Sequence, residues 1–212
     1  LFSTMKQLLN LIQFCNKGGI PFEVYAFTNE WDSESVQKVK EVKENEITIE
    51  KFNMIKFASS DLKKRDLDKV MKYMFRTAFA MTYRAADYNI PYKLYLSGTP
   101  LNEAIISMKQ ILPIFQKKNN VEKCHIINLT DGEGSCVMRN KKWGHYDYDK
   151  LVSGNISDCQ LRDRKVGRIY KTFGYDYYGS SHTDIFVENL KDNFPNTNVI
   201  SIRLCSGHEF NR

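Results

Sequence analysis

An α/β sandwich, with a mostly parallel central sheet and helices on both faces, is the architecture this 212-residue sequence predicts. Three observations carry that expectation. Short β-rich runs dense in apolar residues recur along the chain, amphipathic helical segments alternate with them, and glycine, proline or polar clusters punctuate the joins. A content of 42% hydrophobic and 26% charged residues fits one globular domain with a real core and argues against a disordered chain.

Leu1, Met5, Leu8, Leu9, Ile12 and Cys15 fall three or four apart, so residues 1–16 read as a helix stopped by Gly18-Gly19. "PFEVYAFT" (21–28) reads as a buried strand, and the charged segment 29–45 as a solvated loop or helix. Partial alternation of Ile47, Ile49, Phe52 and Met54 makes 46–57 an expected edge strand or hairpin. The longest helical pattern spans 61–86, with Asp61 as its cap and a Met/Phe core stripe of Leu67, Val70, Met71, Met74, Phe75, Ala78 and Phe79. A short strand near 92–96 should lead into a helix that runs to about Lys118 and contains Pro113. Buried strands are expected at 124–129 and 198–205, and a helix at about 183–194, ending before Pro195. Between about 135 and 180 the turn-forming "NKKWG" and "RDRKVG" mark a β-hairpin-rich excursion inserted into the single domain 1–212.

Composition narrows the function. No apolar run approaches the length of a membrane span and no secretory leader opens the sequence, so the expected compartment is the cytoplasm. Cys15, Cys124, Cys136, Cys159 and Cys205 are scattered without zinc spacing and read as reduced, mostly buried thiols. His125 sits on an expected buried strand, while His145, His182 and His208 lie in loops or at element ends; neither a nucleophile elbow nor a phosphate-binding glycine motif is present. The net charge of +6 permits an acidic partner without demanding one.

Two loops carry candidate chemistry. "LSGTPLNEA" (96–104) reads locally as Thr99 capping a helix whose first residue is Pro100. "INLTDGEG" (127–134) leaves a strand with Asp131 at its end, and Gly132 and Gly134 allow a tight turn. Ligands of open α/β sheets gather at the carboxyl ends of strands, and a hydroxyl plus a carboxylate there are hard oxygen donors suited to Mg²⁺ or Mn²⁺.

In this order and spacing, "GTPLNEAI" and "INLTDGEG" resemble the second and third metal loops of the von Willebrand factor A (VWA) family, over roughly residues 1–134 and 181–206. The form of the threonine loop is closest to the VWA-bearing subunits of cobaltochelatase and magnesium chelatase, and the style of the sequence is that of a phage-encoded relative, in a host cytoplasm. The resemblance implies a Rossmann-like sandwich with a metal-ion-dependent adhesion site. Thr99 would ligate Mg²⁺ or Mn²⁺, with Asp131 bound directly or through water, and Ser97, Gly98, Gly132 and Glu133 would support the loops. An Asp or Glu from a protein partner would complete the coordination, and an AAA+ ATPase of chelatase or MoxR type would work alongside. The family's DxSxS loop, which precedes the first helix, occurs nowhere in these residues. The expectation is therefore that the first strand and first metal loop lie upstream of Leu1, and metal binding is conditional on them.

The excursion offers a different surface. Nine Lys or Arg against four Asp lie between Arg139 and Lys171, with Trp143, Tyr146, Tyr148, Tyr170, Phe173, Tyr175, Tyr177 and Tyr178 among or just beyond them. Lys141, Lys142, Trp143, Arg162, Arg164, Lys165 and Arg168 are candidates for contacting nucleic acid or a protein partner, although a hairpin with its own aromatic core is the plainer expectation. Two alternative functions stand beside the interaction domain. One is a metal-dependent nuclease or hydrolase using Asp131 and Glu133 with Glu30 or Asp32. The other is a structural assembly subunit that keeps the fold without the metal.

Overall fold

The computed structural model describes residues 1–29, 44–49, 52–83, 90–91, 94, 96, 98–130, 134, 138–142, 151–155, 160–171 and 180–203. They form a mixed α/β structure with four helices. Helix α1 (Phe2–Lys17) buries Met5 and Ile12 and ends at Gly18, whose N–H donates to the Phe14 carbonyl at 2.9 Å. Gly19 then turns the chain at a φ of 65°, a conformation that side chains disfavour.

Strand β1 (Glu23–Thr28) buries only Val24 and Thr28. The expected single element at 46–57 divides: β2 (Ile47–Thr48) pairs with β5 (Met138–Lys142), while β3 (Asn53–Ser59) pairs antiparallel with β1. The reason is visible in the sequence, because Ile47 and Ile49 occupy odd positions and Phe52 and Met54 even ones, so the two runs cannot share one sheet face.

Helix α2 (Lys64–Tyr83) starts later than expected, and Asp61 does not cap it; its carboxylate instead pairs with Lys118. Leu67, Met74 and Ala78 join Met5, Ile12, Val24 and Ala58 in one core. Phe75 and Phe79, expected inside, are 39% and 37% exposed. They turn toward the start of α1, where Phe2 meets Phe75, Phe79 and Tyr83 with ring centroids 5.1, 5.8 and 5.6 Å apart. The strand expected near 92–96 is absent at its described positions. Leu94 lies in a 3₁₀ turn, its N–H donating to the Pro91 carbonyl at 2.8 Å. Leu94 and Leu96 then help line a 150 Å³ apolar cavity with Leu1, Met5, Met74 and Ala78.

Helix α3 (Leu101–Asn119) keeps Pro113 within it, and strand β4 (Cys124–Thr130) follows. Helix α4 (Ser180–Asn193) leads to strand β9 (Thr197–Arg203), which pairs parallel with β4 from Cys124 opposite Thr197 to Thr130 opposite Arg203. Of the expected mostly parallel central sheet the described residues show one parallel pair, β4–β9; the strands form four small sheets, and the other pairs are antiparallel. These two strands are also less buried than their composition implies. Ile127, Ile200 and Ile202 are 41–45% exposed, whereas Cys124, Ile126 and Val199 pack into the core of α3 and α4, so one face is covered and the other open. The excursion is built from hairpins, as expected: β5 pairs with β6 (Leu151–Asn155), and β7 (Gln160–Asp163) with β8 (Arg168–Lys171).

Helix α3 organises the strand ends. At its C-terminal end Lys118 pairs with Glu23 at the start of β1 (3.7 Å), and just before its N-terminal end Gly98 lies against Asn29, immediately after β1. Strand β4 starts in the same core as Leu112, and the chain beyond it returns at Gly134 to Leu101 and Asn102. Strands β1 and β4 therefore both run antiparallel to α3 and parallel to each other. Among the described residues they do not hydrogen-bond to one another; β1 pairs with β3 and β4 with β9.

Candidate site at the strand ends

The carboxyl ends of β1 and β4 meet the N-terminus of α3. Thr28 closes β1 with no exposed surface, Thr130 closes β4 at 8% exposure, and Asn102 in the first turn of α3 is wholly buried. Hydroxyl and amide groups are costly to bury without hydrogen bonds, so their concentration at one rim is a polar commitment by the fold. Gly98 is required there for two reasons. Its φ is 69°, and a β-carbon would lie 2.6 Å from the Asn29 side-chain nitrogen. Gly134 is similarly enclosed, since a β-carbon would stand 3.0 Å from the Thr183 hydroxyl and 3.4 Å from the Asn102 nitrogen.

The local reading of "GTP" is corrected. Pro100, not Thr99, is the N-cap of α3, with ψ at 57°, and Leu101 is the first helical residue. The Thr99 carbonyl accepts from Leu101 N–H at 2.8 Å, closing a tight turn, while the Pro100 carbonyl accepts from Ala104 N–H at 3.1 Å. The proline thus sits one position before the helix, and Thr99 is half-buried ahead of it on the rim.

Of the expected metal site, Thr99 and Gly98 are on this rim, whereas Ser97, Asp131, Gly132 and Glu133 lie outside the described residues, as do Glu30 and Asp32. The described oxygen donors at the rim, from Thr28, Thr99, Asn102 and Thr130, are hard and neutral. They fit the uncharged part of a Mg²⁺ or Mn²⁺ shell, which also needs a carboxylate. Among the described residues no three His, Cys, Asp or Glu side chains cluster as a metal group. Among the described residues Glu103 is the carboxylate nearest to the rim in sequence, but it leaves α3 on the side opposite Leu101, Ile105 and Leu112. Burial raises its pKa, and its Oε2 is buried without a hydrogen-bond partner.

Among the excursion's candidate cations, Lys165 and Arg168 have close partners within the fold. Asp163, at the end of β7, accepts from Lys109 Nζ (2.8 Å), Asn189 Nδ2 (2.8 Å) and Asn193 Nδ2 (2.9 Å), and from the backbone of Lys165 (2.8 Å). Burial pushes its carboxyl pKa up, but the bonds from Lys109, Asn189, Asn193 and Lys165 outweigh it and hold the group far below the ordinary carboxylate range. Arg168 pairs with Glu188 and, at 2.8 Å, with Asp192, which also accepts from the buried Tyr170 hydroxyl at 2.5 Å. Lys165 lies 5.8 Å over the Phe194 ring. Arg162 and Arg164 border the same hairpin, Lys141 and Lys142 lie on β5, and Trp143 is outside the described residues.

His125, expected on a buried strand, is exposed, with its Nδ1 3.5 Å from Asn198 Nδ2. Cys124 is buried and Cys15 half-buried, both as free thiols; Cys136, Cys159 and Cys205, with His145 and His208, lie outside the described residues, and His182 is on α4. Sequence reasoning passed over Asn29 and Asn102. The available signal was position, since each is an amide directly following an apolar strand or opening a helix. No helix among the described residues is long and apolar enough to cross a membrane. Comparison with family models, curated proteins and solved structures gives no match.

Proposed function

We propose that this chain is a metal-ion-dependent protein-interaction domain of VWA type, working beside an AAA+ ATPase of chelatase or MoxR type. The observation that carries the reading is the convergence of the β1 and β4 ends on the N-terminus of α3, with Thr28, Asn102 and Thr130 buried there and Thr99 at its edge. Thr99 and Asp131 would hold Mg²⁺ or Mn²⁺, and a partner's Asp or Glu would take the open position. Such an ion, short of anionic ligands from its own protein, stays electrophilic toward an incoming carboxylate.

Strands β1 and β4 run in the same direction along α3 and do not pair with each other among the described residues. A strand preceding α1 would make a strand–helix–strand unit with β1, and its end would bring the DxSxS loop to the same rim. The test is calorimetric titration with Mg²⁺ of the protein extended upstream of Leu1, alongside its Thr99→Ala variant. The reading expects binding in the parent and clearly weaker binding in the variant. Equal affinities, or an upstream sequence without DxSxS, would overturn it.

A further inference from the structure

We infer that the outward face of α2, with the start of α1, binds single-stranded nucleic acid. Arg65, Lys69, Lys72 and Arg76 recur every three or four residues and form one file along α2, on the side opposite Leu67 and Met74. All four are exposed, and among the described residues none forms an ion pair. The file spans about 16 Å at the rise of an α-helix, roughly one cation per turn.

The neighbourhood reinforces this charge. Helix α1 contains Lys6 and Lys17 and no acidic residue, and α2 contains five cations against Asp66 and Asp68. These two helices therefore carry a balance of +5 out of the chain's +6. At the C-terminal end of the file the rings of Phe75, Phe79 and Tyr83 are 39%, 37% and 59% exposed, and Lys6 Nζ stands 4.6 Å from the centroid of Phe2.

A row of cations would attract any polyanion, and the rings decide among them. Unpaired bases have flat faces that stack on aromatic side chains while phosphates follow the cations. In a duplex those faces are already stacked inside, and an acidic polypeptide supplies charge without bases. The combination fits a flexible single strand whose backbone lies along Arg65 to Arg76 and whose bases reach the exposed Tyr83. The cation file lies on the opposite side of α2 from Leu67 and Met74, and the surface uses none of the metal-rim residues, so it stands apart from the proposed metal function.

Fluorescence anisotropy of a labelled oligothymidylate of about twelve nucleotides, within the range bound by common single-strand sites, tests this with the full chain in EDTA. Binding should weaken steeply between about 50 and 200 mM salt, and Lys69→Gln/Lys72→Gln should reduce the log–log salt slope by about 1.4. Tyr83→Ala should weaken binding about tenfold with the slope unchanged. Circular dichroism checks that both variants remain folded. Absence of binding at low salt, equal binding of duplex DNA or polyglutamate, an unchanged slope in the lysine variant, or full affinity in folded Tyr83→Ala would each overturn the inference.

Discussion

The β7–β8 hairpin and helix α2 are both rich in lysine and arginine, but the hairpin ties Arg168 and Lys165 into the fold whereas the file on α2 has no such contacts among the described residues. On the hairpin, Arg168 pairs with Glu188 and Asp192, Lys165 lies over Phe194, and Asp163 gathers Lys109 and two asparagines from α3 and α4. On α2, Arg65, Lys69, Lys72 and Arg76 are exposed and form no ion pair among the described residues, while the helix is held by its apolar face and by rings around Phe2. Counting charge along a sequence singles out the excursion; in space α2 presents a second set of exposed cations, beside Arg162, Arg164 and Lys171 of the hairpin, which likewise form no ion pair among the described residues. The difference also predicts distinct physical sensitivities, because charge-assisted hydrogen bonds respond to pH and apolar contacts do not.

The largest expected effect is at Asp163. Replacing it with alanine strands the donors of Lys109, Asn189 and Asn193 and should cost about 3 kcal/mol, lowering Tm by roughly 9 °C in a chain of this size. Lys69→Gln/Lys72→Gln should remain within about 0.5 kcal/mol of the parent, as expected for exposed unpaired sites. Urea unfolding at pH 7 compares them, and similar losses in both would erase the distinction between the regions. The pH dependence gives a second check. Because the folded pKa of Asp163 is depressed, its contribution is present above the ordinary Asp value of about 4 and is lost as pH falls below it. The difference between parent and Asp163→Ala should therefore shrink in acid.

A smaller effect is expected on the α1–α2 side. Phe2 is half-buried against three rings, so Phe2→Ala should cost about 2 kcal/mol, less than a fully buried phenylalanine. This loss should be the same at pH 4 and pH 8 in the same unfolding assay. A loss that vanished in acid would mean that charge, not ring packing, holds the helix pair.

The legible parts of the fold were those where one periodicity ran between clear breakers. Helix α1 ends at Gly18-Gly19, and α4 is closed by Pro195 within a residue or two of its expected end. Strand burial was less legible. Isoleucines on β4 and β9 look the same in sequence whether a second layer covers them or not, and Ile127, Ile200 and Ile202 face outward. At the rim, the turn joining Thr99 to Leu101 depends on the positive φ of Gly98 and its contact with Asn29, almost seventy residues earlier, which local capping rules do not contain. The order of "GTPLNEA" and "TDGEG" pointed to the loops before α3 and after β4, of which Gly98, Thr99 and Gly134 are described at the rim. It did not reveal the buried amide and hydroxyls of Thr28, Asn102 and Thr130, whose burial arises only when β1 and β4 meet α3.

Glu103 sharpens the comparison by being an exception within the well-paired half. It stands in the first turn of α3, where a helix dipole favours a negative charge, yet burial raises its pKa and Oε2 has no hydrogen-bond partner among the described residues. A raised folded pKa means that the group's contribution is fully present below its unfolded value of about 4.3 and is lost as pH rises through the folded value. Glu103→Gln removes that ionisation while keeping the shape, and should stabilise the protein slightly at pH 8, by less than the effects of Asp163 and Phe2. At pH 4 and below the two proteins should unfold at nearly the same urea concentration. If the variant were instead less stable at pH 8, the carboxylate would have to be compensated in the folded protein by a cation or donor, and α3 would then have no uncompensated charge to set against the paired ones around Asp163.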